Sequence, residues 1–126
     1  MKAHLVFDTQ DPARITDFWC AMLDVEVMMH RDGGRYVILN PTEDGFLMGF
    51  QQVPEAKSGK NRLHLDVLVD GMDEGTAKVE ALGGRWIESD HTHDLDGFLW
   101  RCMADPEGNE FCIYTMPDVL PFDFEQ

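Results

Sequence analysis

The sequence contains one internal repeat, and this repeat limits how the chain can fold more than any other feature. One apolar run opens at His4-Leu5 and closes near Asp11, and a second opens at His64-Leu65 and closes at Asp70. Each run is followed by a helical pattern and then by short strand-like runs. Because a β-α-β-β-β unit cannot bury both of its faces alone, we expect the two copies to pair their sheets around one pocket.

Both predicted helices are short and one-sided. Asp11 is placed to cap the first helix and Pro12 to occupy its first turn, while Gly83-Gly84 is a strong stop for the second. Their core-facing positions recur at helical spacing and are Ile15, Phe18, Trp19, Met22 and Leu23 in the first helix, and Met72, Thr76, Val79 and Leu82 in the second.

The strand-like runs are separated by residues typical of turns, such as Asp32-Gly33-Gly34 and the type I pattern of Asp105-Pro106-Glu107-Gly108. A polar loop through Asp96-Gly97 interrupts the second half. Besides the two apolar runs, the predicted strands are Val25–Arg31, Tyr36–Asn40, Phe46–Val53, Arg85–Asp90, Phe98–Ala104 and Glu110–Thr115. The pattern predicts an α+β fold, with two paired β-α-β-β-β modules forming a curled eight-stranded mixed sheet around a cleft.

Length and composition are those of one domain. The chain has 126 residues, of which 44% are hydrophobic, and natural domains have a similar size. We expect module 1 at about residues 1–53, a polar linker at 54–61, module 2 at about 62–117 and a C-terminal tail at 118–126. The three cysteines form no Cys-x-x-Cys pair, which predicts buried free thiols.

The formal net charge of -14 excludes several classes of partner. Such a charge repels nucleic-acid phosphates and anionic membrane surfaces. No apolar stretch reaches the length of a membrane span, and the N-terminus lacks the apolar region of a signal peptide. We therefore expect a cytoplasmic protein that binds neither nucleic acid nor membrane, and the absence of a Gly-rich phosphate loop predicts no nucleotide cofactor.

Three stretches resemble a known family. They are Val6 to Trp19, with its Asp-Pro-Ala-Arg, Val53 to Asp66, with its Lys-Asn-Arg-Leu-His-Leu-Asp, and Ala104 to Cys112, which reads Ala-Asp-Pro-Glu-Gly-Asn-Glu-Phe-Cys. Through them, residues 4–115 resemble the glyoxalase/bleomycin resistance/dioxygenase superfamily, also called vicinal oxygen chelate proteins, and in particular a glyoxalase-like branch. The resemblance implies two paired β-α-β-β-β modules around a small-molecule cleft.

The resemblance also implies a divalent metal ion, expected to be Ni, Mn, Fe or Zn. In metal-dependent members, one histidine lies seven residues before the helix-capping Asp of the first module. A second histidine lies six residues before the corresponding Asp of the second module. His4 and His64 stand at these two positions. A third family ligand, Glu, is replaced here by Cys112. The glutathione-adduct isomerases carry a further Glu where this chain has Gly49, Phe50 and Gln51, so glutathione-dependent isomerisation is disfavoured.

Residues two apart on a strand share a face, and this alternation gathers more polar side chains beside the two histidines. Glu110 and Asp66 are predicted as catalytic proton carriers. A salt-bridge network reaching in from Arg62 or Arg101 is the structural alternative. The predicted ligand-binding residues are Asp8, Gln51, Cys112 and Tyr114.

Three functions remain open at this point. The chain could be a metal-dependent enzyme of the lyase, isomerase or dioxygenase type that chelates a substrate with vicinal oxygens. It could instead bind or sequester a ligand without metal, as resistance-type relatives do, or be a regulatory module with a closed cleft. We also expect a homodimer, since association would cover open sheet edges.

Three further features have ordinary interpretations. His91 and His93 have ligand-like spacing, but their acidic loop favours simple solvation. Trp86 and Trp100 lie on predicted strands and are interpreted as core. The cluster of Lys57, Lys60 and Arg62 is expected to pair with surface carboxylates.

Overall fold

A computed structural model describes residues 3–118 of the chain. The predicted tail at 118–126 therefore lies, after Asp118, outside the described residues. Within the described part the order of elements is β1 (Leu5–Thr9), α1 (Pro12–Leu23), β2 (Val27–Arg31), a short 3-10 turn (Asp32–Gly34), β3 (Tyr36–Leu39), β4 (Met48–Gln52), β5 (Asp66–Leu68), α2 (Met72–Ala81), β6 (Arg85–Trp86), β7 (His93–Leu95), β8 (Phe98–Ala104) and β9 (Glu110–Thr115).

The strands form two sheets with the same plan. The first has the order β1-β4-β3-β2, with β1 parallel to β4, and the second has the order β5-β9-β8-β6, with β5 parallel to β9. The predicted α+β class and the β-α-β-β-β repeat are thus confirmed, and all eight predicted strands form. They pair as two sheets and not as one, because the first strand of each module pairs with the last strand of that module. A further strand, β7, pairs with β8.

The chain divides into two compact units. The first unit contains residues 3–59 and Pro106–Gly108, and the second contains Lys60–Asp105 and residues 109–118. The short turn between β8 and β9 is therefore part of the first unit, although both of its flanking strands are in the second. No helix within residues 3–118 has the length and apolar character needed to span a membrane.

The Pro106–Gly108 turn is tied to the start of α1 by hydrogen bonds. The Glu107 carboxylate accepts hydrogen bonds from the Thr9 hydroxyl and, at 2.7 Å, from the backbone N–H of Gln10. The Arg14 guanidinium donates to the carbonyl oxygen of Pro106 at 2.9 Å. Thr9 is buried, so this carboxylate satisfies a hydroxyl that has little access to water.

Helix α1 begins and ends where the sequence predicts. The Asp11 side chain accepts a hydrogen bond from the backbone N–H of Arg14, and the helix ends at Asp24, whose φ of 54° is left-handed. Phe7 of β1 makes an edge contact with Trp19, at a ring-centroid distance of 5.8 Å. The predicted stripe is buried at Ile15, Phe18, Trp19 and Met22, whereas Leu23 is only half-buried.

Helix α2 packs on β6, β8 and β9 of the second sheet. Gly75 allows a close approach there, since a Cβ on this residue would lie 3.0 Å from Val69 Cγ2 and 3.1 Å from Ile113 Cδ1. Thr76 and Val79 are buried on the same side of the helix. The small residue at position 75 therefore sets the distance between helix and sheet.

Arg101 fastens α2 to the sheet. Its guanidinium lies 4.1 Å from the centre of the Trp86 ring, and the side chain is only 12% exposed. Arg101 therefore does not form the alternative network to the site carboxylates, because its side chain is used on the helix-covered side of the sheet. Its hydrogen-bond acceptors are Thr76 Oγ1 at 2.7 Å, Thr92 Oγ1 at 2.8 Å, Asp73 Oδ1 at 3.1 Å and the carbonyl oxygen of Met72 at 3.3 Å.

Candidate metal and ligand site

The second sheet has one face covered by α2 and an opposite face that carries polar residues. Asp66 of β5 and Cys102 of β8 are both register partners of Cys112 in β9, so these three side chains leave the sheet on the same side. Ile113, the next residue along β9, contacts α2 from the other side. We call the side opposite α2 the site face. Its members used below are His64, Asp66, Trp100, Cys102, Cys112 and Tyr114.

Three potential metal ligands meet on the site face. His64 Nδ1 lies 3.2 Å from Asp66 Oδ1, and one ligand atom from each of His64, Asp66 and Cys112 lies within 4.8 Å of the others. The His64 and Asp66 side chains are half exposed, whereas Cys112 is buried. The structure therefore brings together three residues that the sequence places at ligand-binding, metal and catalytic positions, and we call them the His64 group.

The His64 group borders a recess of about 480 Å³. Its wall combines these three polar residues with apolar and aromatic side chains. The remaining lining residues are Phe98, Leu99, Trp100 and Tyr114. Pockets of this size hold small organic molecules, with apolar walls for the carbon skeleton and a few polar groups for orientation.

The thiols next to this recess keep their protons at neutral pH. Burial raises the pKa of Cys112, and the nearby Asp66 carboxylate raises it further. Burial also raises the pKa of Cys102, with a contribution from its hydrogen bond to Glu88. All three cysteines are free, as the sequence predicts, although only Cys112 is fully buried. A thiolate at Cys112 therefore requires a cation that displaces the proton.

Glu110 has a different environment from the one that strand alternation suggests. Its carboxylate accepts hydrogen bonds from Lys60 Nζ at 2.8 Å and from the backbone N–H of Asn61 at 3.0 Å. The ion pair raises the pKa of Lys60. Lys60, a member of the predicted surface cluster, thus pairs with the Glu110 carboxylate. Through these contacts Glu110 holds the start of the second unit in place.

The remaining predicted residues lie in the first unit. Asp8 and Gln51 are register partners in β1 and β4, and Asp8 is exposed, whereas Phe7 turns towards Trp19 of α1. His4 is exposed just before β1. Asp8 and Phe7 therefore lie on opposite faces of β1, as strand alternation predicts. The metal role of His4 stays a prediction.

The sequence places His91 and His93 in a solvated acidic loop and Glu88 near the end of the predicted strand before it. The structure brings ligand atoms of these three residues within 4.8 Å of one another, and it places His93 in β7, so the loop prediction is wrong for His93. The hairpin between β7 and β8 turns at Asp96 and Gly97, both with left-handed φ. An Asp-Gly pair between two short runs is the sequence feature that could have revealed this hairpin.

Comparison with known proteins identifies the family. Residues 4–114 match the family described as a glyoxalase-like domain. The chain belongs to this glyoxalase-like family. The predicted relationship to the glyoxalase/bleomycin resistance/dioxygenase superfamily is thereby confirmed. No curated protein matches this glyoxalase-like domain.

Solved structures share the fold of this glyoxalase-like domain at low sequence identity. A glyoxalase/bleomycin resistance protein/dioxygenase family enzyme from Burkholderia phytofirmans PsJN is 17% identical with a TM-score of 0.72, over 90% of this chain and 96% of that chain. The fosfomycin resistance protein FosX from Listeria monocytogenes, complexed with Mn(II) and sulfate, is 13% identical with a TM-score of 0.68, over 91% of each chain.

A variant of the Listeria monocytogenes FosX, complexed with Mn(II) and 1S,2S-dihydroxypropylphosphonic acid, gives a TM-score of 0.73 at 14% identity. That match covers 90% of this chain and 88% of the other. These likenesses establish a common fold. In the Listeria monocytogenes FosX variant, Mn(II) and a small phosphonic acid are bound in the same complex.

Proposed function

We propose that this glyoxalase-like domain binds a divalent cation through the His64 group and acts on a small molecule that presents two adjacent oxygens. The reaction would be of the lyase, isomerase or dioxygenase type. The observation that carries the proposal is the convergence of imidazole, carboxylate and thiol at the edge of a recess with aromatic walls.

The donor set favours zinc among the four ions expected from the family. Zinc accepts nitrogen, oxygen and sulfur ligands, with bonds of about 2.0–2.3 Å. The donor atoms lie within 4.8 Å of one another, so they need to move by a few tenths of an ångström or more to bind one ion at such distances. Manganese prefers oxygen ligands. Cys112, at the position where the family has Glu, therefore shifts the preference towards a softer ion. His4 is the proposed additional ligand, as the resemblance to metal-dependent family members implies.

The cation would act as a Lewis acid towards adjacent oxygens of the ligand. Asp66 is half exposed and lies next to His64, so the carboxylate oxygen that does not bind the cation can pass a proton between ligand and solvent. We assign the proton transfer to Asp66 in preference to Glu110, because both carboxylate oxygens of Glu110 are used by Lys60 and Asn61. Trp100 and Tyr114 would pack against the carbon skeleton of the ligand.

One observation favours a second candidate, ligand sequestration without metal. Burial raises the pKa of Cys112, so a protonated thiol adds to the apolar part of the recess. Phe98, Trp100 and Tyr114 could then hold an apolar or cationic ligand by stacking. The two candidates differ in a measurable way, since only the first requires a metal ion for ligand binding.

The test uses the full chain without an affinity tag, first stripped with EDTA and then titrated with Zn²⁺ by calorimetry. Asp66→Asn and Cys112→Ser should each weaken zinc binding at least about tenfold, the lower end of the effect of losing even an outer-shell partner. Asp44→Asn, an exposed change in a loop of the first unit, is the matched control and should leave zinc binding unchanged.

Ligand binding then separates the two candidates. The probe is 1,2-dihydroxypropylphosphonate, added to the stripped and to the zinc-loaded protein. Binding that requires zinc and is lost in Asp66→Asn supports the metal-dependent function. Equal binding to both forms of the protein supports sequestration, and zinc affinity unaffected by either site substitution would rule out the metal proposal.

A further inference from the structure

The group formed by Glu88, His91 and His93 is built by local backbone geometry. The backbone N–H of His91 donates to the carbonyl oxygen of Glu88 at 2.9 Å, which closes a tight turn. Asp90 inside this turn has a φ of 65°, in the left-handed region that Asp tolerates better than most residues. The turn therefore returns His91 to the vicinity of Glu88, and β7 begins directly afterwards with His93.

The side chains of this group are already oriented towards one another. His93 Nε2 lies 3.0 Å from Glu88 Oε1, and the rings of His91 and His93 meet at an angle of 78° with centroids 4.2 Å apart. The His93 ring also stacks on Trp100, at 4.9 Å and an interplanar angle of 7°. Ligand atoms of all three residues lie within 4.8 Å of one another.

Surrounding residues support this arrangement from two sides. The Cys102 thiol lies on one side, where it hydrogen-bonds to the Glu88 carboxylate. Thr92, which lies between the two histidines, accepts a hydrogen bond at 2.8 Å from Arg101, a side chain that is almost buried. Partners of this kind orient the ligands of metal sites and are a regular part of their construction.

We propose that Glu88, His91 and His93 form a second transition-metal site, separate from the His64 group. Two imidazoles and one carboxylate are the protein ligands of many zinc sites with an open coordination position. Imidazole ligands select late first-row ions over magnesium or calcium. The His93 and Glu88 side chains are 28% and 43% exposed, so an ion can reach them from solvent.

The ion at this site would fix one wall of the recess. It would join the turn after β6 to the start of β7, and it would hold His93 against Trp100, which lines the recess next to the His64 group. Its role is therefore the positioning of Trp100. We assign no reaction to this site.

Cobalt distinguishes the two sites by their spectra. The His64 group contains a thiol and should give thiolate-to-cobalt charge transfer in the near ultraviolet, whereas the Glu88, His91 and His93 site has no sulfur ligand. The full, untagged chain is titrated with Co²⁺ for absorbance and with Zn²⁺ for stoichiometry. Wild type should bind one more zinc ion than His91→Gln or Glu88→Gln, and both variants should keep the thiolate band.

His30→Gln is the matched control, because it also removes an exposed imidazole but lies in β2. It should retain the wild-type stoichiometry. Thermal melts of all variants establish that each is folded. A His91→Gln protein that is folded and binds as much zinc, with the same affinity, as wild type would overturn the proposal.

Tryptophan fluorescence gives a second, independent measurement. Ni²⁺ at this site should quench Trp100 strongly, because the ring lies against His93. Trp100 also lines the recess beside the His64 group, so the comparison is made in Asp66→Asn protein, in which binding at that group is weakened. Adding His91→Gln or Trp100→Phe to this protein should abolish the quenching, and quenching that persists after His91→Gln is added would contradict the proposal. Loss of the thiolate band together with retained His91-dependent binding would count against the proposed function only.

Discussion

The thiols of Cys102 and Cys112 face each other across β8 and β9, with their sulfur atoms 3.8 Å apart. Cys112 is also next to Asp66, and Cys102 hydrogen-bonds to Glu88. The thiol pair therefore lies between the two proposed cation sites. A substitution at either cysteine is expected to affect both sites, so single changes at Glu88, His91 or Asp66 are better tests of each.

The stability of the stripped protein should fall above about pH 9. The ordinary thiol pKa is 9.0, and burial raises the folded-state pKa of both Cys102 and Cys112 above it. The native thiols then keep protons that the unfolded chain has released, so their stabilising contribution is complete below the unfolded pKa and is lost as the pH rises towards the folded values. Urea unfolding between about pH 7 and pH 10 measures this.

The variant Cys102→Ala is the control for the pH effect. It removes the thiol whose pKa is raised most clearly, so its stability should decline less steeply with pH than that of wild type. Identical slopes for the two proteins would show that other groups cause the alkaline loss.

Gly75→Ala should destabilise the protein, although Ala is the better helix former. The added Cβ would lie 3.0–3.2 Å from Val69 and 3.1 Å from Ile113, and such overpacking costs about 1–3 kcal/mol. Ala77→Gly, at an exposed position of the same helix, should cost about 1 kcal/mol from helix propensity alone. Chemical denaturation compares the two, and a stabilised Gly75→Ala protein would contradict the close packing of α2.

Arg101→Met should lower the free energy of unfolding by about 2–4 kcal/mol, because several hydrogen bonds to a charged, nearly buried group are lost together. Asp73→Asn removes only the partner that is 96% exposed, and such an ion pair contributes less than about 1 kcal/mol. Equal effects of the two substitutions would mean that the surface ion pair, and not the hydrogen bonds to Thr76 and Thr92, holds Arg101.

The protein should be a homodimer in dilute solution. Large apolar side chains are exposed on strands in both units, including Val6 at 51%, Leu68 at 54% and Leu95 at 62%. Light scattering should give twice the mass of the chain at micromolar concentration. A mass equal to one chain at every concentration would rule the dimer out, and this result would leave the metal proposals unaffected.

The sequence predicts the helices and strands well because their periodicity is local. Asp11 and Pro12 mark the start of α1, and alternation within β5 and β9 correctly groups Asp66 with His64 and Cys112 with Tyr114. The strand β7 has only three residues, which is too short for alternation to be recognised. The partners of Arg101 and Glu110 depend on which residues lie opposite them in the fold, and sequence spacing does not contain that information.

The proposed second cation site was missed for a similar reason. His91 and His93 have a suggestive spacing, but the third ligand, Glu88, approaches only through a left-handed residue at Asp90. Local sequence composition indicates an acidic loop and gives no direction for its side chains. The hairpin that orients His93 on Trp100 is visible only once β7 is paired with β8.

The two halves of the sequence contribute unequally to the two units, because the Pro106–Gly108 turn lies in the second half and belongs to the first unit. The turn residues that accept hydrogen bonds from Thr9 and Arg14 come from the second half of the sequence, although they belong to the first unit. A first half expressed alone therefore lacks the carboxylate of Glu107 at the start of α1. A polypeptide of residues 3–59 would therefore need a second polypeptide to supply this turn before Thr9 and Arg14 could regain these hydrogen bonds.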